Sequence, residues 1–221
     1  MIGSMPLAAD STDDLARFFE AFEPAAWPVV AESNQGRIVR VRTDDFDLAV
    51  KTPRGRGIAW RARRYSLRRE YRAYRRMDGI PGFPRCFGLF GDRHLALEYV
   101  EGALLRHTAP ADPERFFERL ADTIRTMHER GVAHGDLKSR QNVMVSANGS
   151  PMIIDLGTAV VLKSGWHPLN RWLFDYLRQI DLNGWVKLKY GSYDRASEAD
   201  RRLVRRSRIE RLNNWARRRG L

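Results

Sequence analysis

From His134 to Gly157 the chain reads His134-Gly135-Asp136-Leu137-Lys138, then Asn142, then Ile154-Asp155-Leu156-Gly157. Two carboxylates, one ammonium and one amide thus fall within about two dozen residues, separated by two short apolar runs. Phosphoryl transfer asks a protein for positioning and charge neutralisation more than for covalent chemistry. Asp136 could accept or orient the proton of an attacking hydroxyl. Lys138, two residues on, could offset charge that grows on the transferred group. Asn142 and Asp155 offer oxygen donors of the hard kind that Mg2+ prefers. His134 reads as a brace for the loop rather than as a base. Each residue type alone is common, so the weight lies on their joint order and spacing.

These groups need elements to hold them. Asp112-Pro113 opens a helix with an N-cap and a proline in the first turn, Phe116, Phe117, Leu120, Ile124 and Met127 form its apolar stripe, and Gly131 stops it just before His134. Val143-Met144-Val145 and Met152-Ile153-Ile154 read as a hairpin turned by Asn148-Gly149. Upstream, Asp10 to Glu23 reads as an amphipathic helix ended by Pro24 and Pro28. Strands follow at Val29–Ala31, Arg37–Arg42 and Asp47–Lys51, then an arginine-rich helix over 59–77, then strands at Cys86–Phe90 and His94–Val100. Beyond residue 165 the pattern is helical, ending in a basic segment from about Glu198 to Arg219.

The pattern His-x-Asp-x-Lys-x-x-x-Asn followed by Asp-x-Gly resembles the catalytic and metal-binding loops of the protein-kinase-like superfamily. Leu48-Ala49-Val50-Lys51 resembles the kinase strand whose lysine holds the α- and β-phosphates, and Glu70 resembles the helix glutamate that pairs with it. Leu97-Glu98-Tyr99-Val100-Glu101-Gly102 resembles the hinge, where backbone groups of Glu98 and Val100 or their neighbours would meet adenine. Ser33-Asn34-Gln35-Gly36 stands where the glycine-rich loop would be, with one glycine, so Asn34 and Gly36 are its candidate phosphate contacts. The resemblance implies an α+β, two-lobed fold with ATP and Mg2+ as cofactors. It would comprise a helical extension over 1–28, an N-lobe with a five-stranded antiparallel sheet over 29–102, and a reduced, mainly helical C-lobe over 103–221.

Departures from the family pattern narrow the acceptor. Gly135 replaces the arginine that usually reads a phosphorylated activation loop. No Ala-Pro-Glu segment follows Asp155, and about a dozen residues separate Asp155 from the next helix near Pro168. In these respects the chain resembles bacterial lipopolysaccharide core (Kdo and heptose) kinases, with RIO-like atypical kinases also close. The resemblance implies phosphorylation of a sugar hydroxyl on an acidic glycolipid. The alternatives are a RIO-like serine/threonine protein kinase, an RNA-associated kinase-like ATPase, and a pseudokinase binding module. Asp181 to Lys189 reads as a helix-packing stripe that could also carry a site.

Composition sets outer bounds. Net charge is +12. Residues 54–76 carry ten arginines against one acid, Glu70, and residues 190–221 carry ten against four. Such asymmetry suits a nucleotide, an anionic membrane surface met peripherally, or RNA under the alternative reading. Arginine outnumbers lysine 34 to 5, so each lysine marks a place where a compact ammonium is wanted, and Lys51 and Lys138 both fall in the motifs above. Cys86 is the single cysteine, which excludes an intramolecular disulfide and a cysteine-rich zinc site. No apolar run reaches the roughly 20 residues of a spanning helix, and the first dozen residues lack a secretory pattern, so the expected location is cytoplasmic.

Overall fold

A computed structural model describes residues 10–32 and 36–205. The backbone divides into two units, one ending at Glu101 and one beginning at Gly102. Among the described residues no helix is long and apolar enough to cross a membrane.

The first unit is built on alternation. Strands β1 (Val29–Glu32), β2 (Gly36–Arg42), β3 (Asp47–Pro53), β4 (Cys86–Phe90) and β5 (His94–Glu98) form an antiparallel sheet of order β1-β2-β3-β5-β4. In β2 and β3 every second residue, Val39, Val41, Leu48 and Val50, is buried. Together with Ala96 they pack against Leu15, Phe19 and Phe22 of the N-terminal segment. Leu15 and Phe19 lie on helix α1 (Asp10–Glu20), and Phe19 stacks on Phe90 with centroids 4.2 Å apart. The period of two then sends Lys51, next to Val50, to the other face. That face meets helix α2 (Gly57–Met77), whose buried residues are Leu67, Glu70, Ala73, Tyr74 and Met77. Interior strand β5 is covered on both sides, so His94, Leu95, Ala96 and Leu97 are all buried. Asp92, left-handed in the β4–β5 turn (φ 56°), accepts from Arg64 and Arg68 and so ties α2 to that turn. Its carboxyl is held below the usual carboxylate range, chiefly by the Arg68 hydrogen bond.

In the second unit, α3 (Pro113–Glu129) is capped by Asp112, whose carboxylate accepts from the Arg115 amide at 3.1 Å. Strands β6 (Gly102–Leu104), β8 (Val143–Ser146) and β9 (Pro151–Ile153) form one antiparallel sheet, while β7 (Val132–Ala133) and β10 (Val160–Val161) pair separately. Helix α4 (Pro168–Tyr190) buries Phe174, Asp181, Asn183, Gly184, Trp185, Val186 and Leu188. Trp185 donates its indole N–H to the Phe117 carbonyl at 2.9 Å and so pins α4 to α3. A short helix α5 (Glu198–Arg201) follows.

The α+β architecture and the five-stranded antiparallel sheet agree with the sequence expectation. Several details differ. Helix α1 stops at Glu20 instead of Glu23, because Pro24 opens a separate 3-10 turn and the residues before it must leave the helix early. β5 ends at Glu98 rather than Val100. The hairpin gains β6, a three-residue strand too short to give a periodic signal. The expected basic helix reaching Arg219 lies outside the described residues from 206 onward.

His94 sits in this packing as an anomaly. Its Nδ1 is 2.9 Å from the Thr52 hydroxyl, while Nε2 is buried with no partner among the described residues. The Phe22 ring meets it edge-on at 5.0 Å. Burial first, and the Arg93 charge second, push its pKa from 6.5 down to about 4. The folded state therefore takes up its proton later than the unfolded chain does. The stability this contributes is full above about pH 6.5 and is lost as pH falls toward 4. Urea midpoints should drop over that window by an amount equivalent to roughly 3 kcal/mol. His94→Phe should remove that component, and an unchanged pH slope in the variant would show that other groups carry it.

Candidate functional site

The residues singled out in the sequence fall into a set in each unit. In the first, Lys51 Nζ lies 2.8 Å from Glu70 Oε2 and 3.0 Å from Oε1. Glu70 is buried on the inner face of α2 and Lys51 is partly exposed. A bidentate ammonium–carboxylate contact of this kind fixes the direction of a long, flexible side chain. Gly36 begins β2, and a Cβ there would stand 2.7 Å from the Thr52 carbonyl, so β2 meets β3 as closely as it does because residue 36 has no side chain. Asn34 lies outside the described residues. At the end of β5 the Glu98 amide donates to the Arg85 carbonyl at 2.8 Å, and its carboxylate accepts from the Arg85 amide at 3.1 Å. The Tyr99 amide donates to the Asp47 carbonyl at 3.0 Å. Val100 is the first residue beyond those engaged amides.

In the second unit the loop after β7 carries the candidate set. Asp136 is half-buried, Lys138 exposed, Asn142 buried and Asp155 exposed. Asn142 donates from Nδ2 to the Asp136 carbonyl (3.0 Å) and to Asp136 Oδ2 (3.2 Å). The amide nitrogen is thereby committed, and its oxygen is left as the acceptor end of the group. The Ile154 amide donates to the Asn142 carbonyl at 2.9 Å, while Val143 pairs with Ile153. This hairpin end sets Asn142 and Asp155 beside one another. Asp155 is left-handed (φ 59°, ψ 69°) and its Oδ1 accepts from the Gly157 amide at 3.3 Å. A non-glycine residue held there costs on the order of 1 kcal/mol, a strain that functional loops commonly store. The donor set fits Mg2+, since Asn142 and Asp155 bring hard oxygens. Among the described residues no three His, Cys, Asp or Glu side chains cluster for a metal, so an ion here would complete its shell with phosphate and water oxygens.

What holds this loop was not assigned in the sequence. The fully buried carboxylate of Asp181, on α4, accepts from the backbone amides of His134 and Gly135, each at 2.8 Å, and lies 3.1 Å from His128 Nε2. His134 is itself buried. Its Nδ1 accepts from the Asp136 amide at 3.3 Å, which leaves Nε2 to donate to the Ile154 carbonyl at 3.1 Å. The expected bracing role for His134 matches this geometry. Thr158 Oγ1 donates to the His134 carbonyl at 2.9 Å. Gly135 has φ +82°, a backbone conformation that favours glycine, which accounts for the residue found between His134 and Asp136. Gly184 lets α4 approach, since a Cβ there would come within 2.8 Å of the Lys138 amide. A signal for Asp181 was present: Asp181, Asn183 and Gly184 place polar and helix-weakening residues on what would otherwise be an apolar helix face. Such a face marks an approach to backbone rather than to side chains.

The model of the protein kinase domain matches residues 34–174, more than half of the chain. A probable serine/threonine-protein kinase of Candida glabrata is 33% identical over 76 residues, covering 34% of this chain and 10% of that protein. The CBL-interacting serine/threonine-protein kinase 21 of Arabidopsis thaliana is 34% identical over 77 residues, covering 32% and 18%. Serine/threonine-protein kinase D of Synechocystis is 28% identical over 95 residues, covering 39% and 19%. The chain thus spans a fifth or less of the length of these relatives.

Replacing Asp181 by leucine would leave buried loop amides without an acceptor. We expect a loss of about 3 kcal/mol or more in urea unfolding. Asp181→Asn, which keeps one acceptor oxygen, should lose less. Equal stability of Asp181→Leu and wild type would remove this carboxylate as the anchor of the loop.

Proposed function

The chain belongs to the protein kinase domain family, and from that premise we propose an ATP- and Mg2+-dependent phosphotransferase whose acceptor is a serine or threonine hydroxyl of a protein. The observation that carries the activity is the Asp136–Asn142 contact on a loop anchored from below by Asp181. It holds a carboxylate oxygen in a fixed place with an exposed ammonium two residues away. The acceptor class follows the matched relatives, which carry serine/threonine-kinase names.

In this reading Asp136 receives the proton of the acceptor hydroxyl as the new oxygen–phosphorus bond forms and the bond to the β–γ bridging oxygen breaks, releasing ADP. Lys138 offsets negative charge on the moving phosphoryl group. Lys51, aimed by Glu70, holds the α- and β-phosphates. Asn34 and Gly36 contact the phosphates, and the backbone at Glu98 and Val100 meets adenine. With the Glu98 and Tyr99 amides already engaged in the sheet, Val100 is the position best suited to donate an N–H. Asn142 and Asp155 would hold Mg2+, which when bound neutralises phosphate charge.

One observation favours a second acceptor, a sugar hydroxyl on an acidic glycolipid. Between Asp155 and Pro168 the chain forms only a 3-10 turn and the two-residue β10, then enters α4 directly. That leaves little chain to build a platform for an extended peptide.

Transfer of labelled γ-phosphate from ATP into separated protein and glycolipid fractions tests both acceptors. Asp136→Asn should lower transfer by about 10²–10⁴-fold with nucleotide binding retained. Asp155→Ala should abolish the Mg2+ dependence of nucleotide binding. Label confined to glycolipid would replace the protein acceptor. Undiminished transfer by Asp136→Asn would take Asp136 out of the mechanism.

A further inference from the structure

Three large apolar side chains are exposed within seven residues at the start of α4, and Leu169 and Trp172, three apart on the helix, share a face. Trp166 is 88% exposed, Leu169 75% and Trp172 62%. Trp172 stacks on the half-buried Tyr176 with centroids 5.8 Å apart and planes 7° apart. Lys163, before the helix, and Arg171, next to Trp172 in sequence, are both exposed. From Leu156 to Phe174 the sequence contains no acid. Asp175, the next residue, lies 3.6 Å from Arg178. The surface is also braced. Asn170 accepts from the Lys163 amide at 2.8 Å and donates to the Val161 carbonyl at 3.1 Å, which fastens the segment before α4 to its first turn.

Exposing two tryptophans and a leucine to water is unfavourable, so a covering partner would gain by their burial. We infer that this surface docks the protein peripherally on an anionic lipid bilayer. Trp166, Leu169 and Trp172 enter the headgroup layer, and Lys163 and Arg171 meet lipid phosphates. Indole rings favour the membrane–water interface, where one edge is apolar and the other wet. Cations close to an anionic leaflet add attraction that falls with salt. The combination of Trp and Leu at the tip with Lys and Arg at the flanks is that of an interfacial helix.

Two other occupants fit less well. A second copy of the chain, related by a two-fold axis, would set this patch against itself and bring its cations together. The apolar area, on the order of 400 Å², is also about half of what one partner usually contributes to a stable interface. Single-stranded nucleic acid stacks on aromatic rings, but one face of Trp172 is already covered by Tyr176, and an exposed leucine offers a base no stacking surface.

The test uses the full chain and vesicles of phosphatidylcholine with or without phosphatidylglycerol, read by co-sedimentation and by tryptophan emission. Binding to the anionic vesicles with a blue shift, weakened by salt, is expected. Trp166→Ala combined with Leu169→Gln should weaken it about tenfold or more. Lys163→Glu with Arg171→Glu should abolish the preference for phosphatidylglycerol. Should the first pair unfold, Trp166→Ala alone gives the same comparison at an 88% exposed position. Equal sedimentation of variants and wild type overturns the inference, as does absence from the anionic vesicles. Concentration-dependent dimerisation or binding of an oligoribonucleotide, lost with Trp166→Ala while vesicles are ignored, would assign the surface elsewhere. None of these readouts requires phosphate transfer, so the inference can fail without the proposed activity failing.

Discussion

The second unit depends on a buried negative charge. The Asp181 carboxylate has no solvent, and it is tolerable only because main-chain amides and His128 surround it. That requirement runs in both directions. The carboxylate needs the loop to be folded over it, and the loop needs an acceptor for the amides of His134 and Gly135, which no secondary structure can satisfy. The position of Asp136 is then inherited through His134 Nδ1 and through Asn142, a chain of hydrogen bonds that begins in the core. Core helix and candidate loop form one cooperative object, with α4 as its foundation and Gly184 as the gap that lets the two backbones meet.

The first unit reaches its site by a different route. There the ordering device is a sheet sandwiched between two helices of unlike character. α1 supplies aromatic rings to one face, and α2 supplies a mostly apolar inner stripe interrupted by Glu70 to the other. The only acid in an arginine-dense stretch is thus the one carried inward to a lysine. The arginines around it are largely surface residues, and the excess positive charge of residues 54–76 is in that sense mostly a property of one helix's outer side.

Much of this was legible in the sequence. The alternation in Asp47–Lys51, the capped stripe after Asp112 and the Asn148-Gly149 turn each state a period or a turn type locally, and each element formed where it was read. The loop residues were legible because their spacing is short and their chemistry shared. Asp181 showed only as a polar residue on an apolar helix face; its role was not legible, since its partners lie 46 and 47 residues away and are backbone groups, which have no sequence identity. β6 and β10 were missed for a related reason: strands of two or three residues are defined by their partners rather than by a period. The patch at Trp166–Trp172 could be read as aromatic in sequence, but only packing reveals that its rings face water.

The alternation of β3 has a consequence for inheritance. Val50 and Lys51 face opposite sides, one the aromatic core and one Glu70. A substitution at either position is a graded change. An insertion or deletion of one residue within β3 would exchange the faces from that point on, putting an ammonium among phenylalanines and an aliphatic side chain before a buried carboxylate. Folding and chemistry would be lost by the same event. In this strand length is under stricter control than composition, and related chains should vary in residue type across it while keeping its parity.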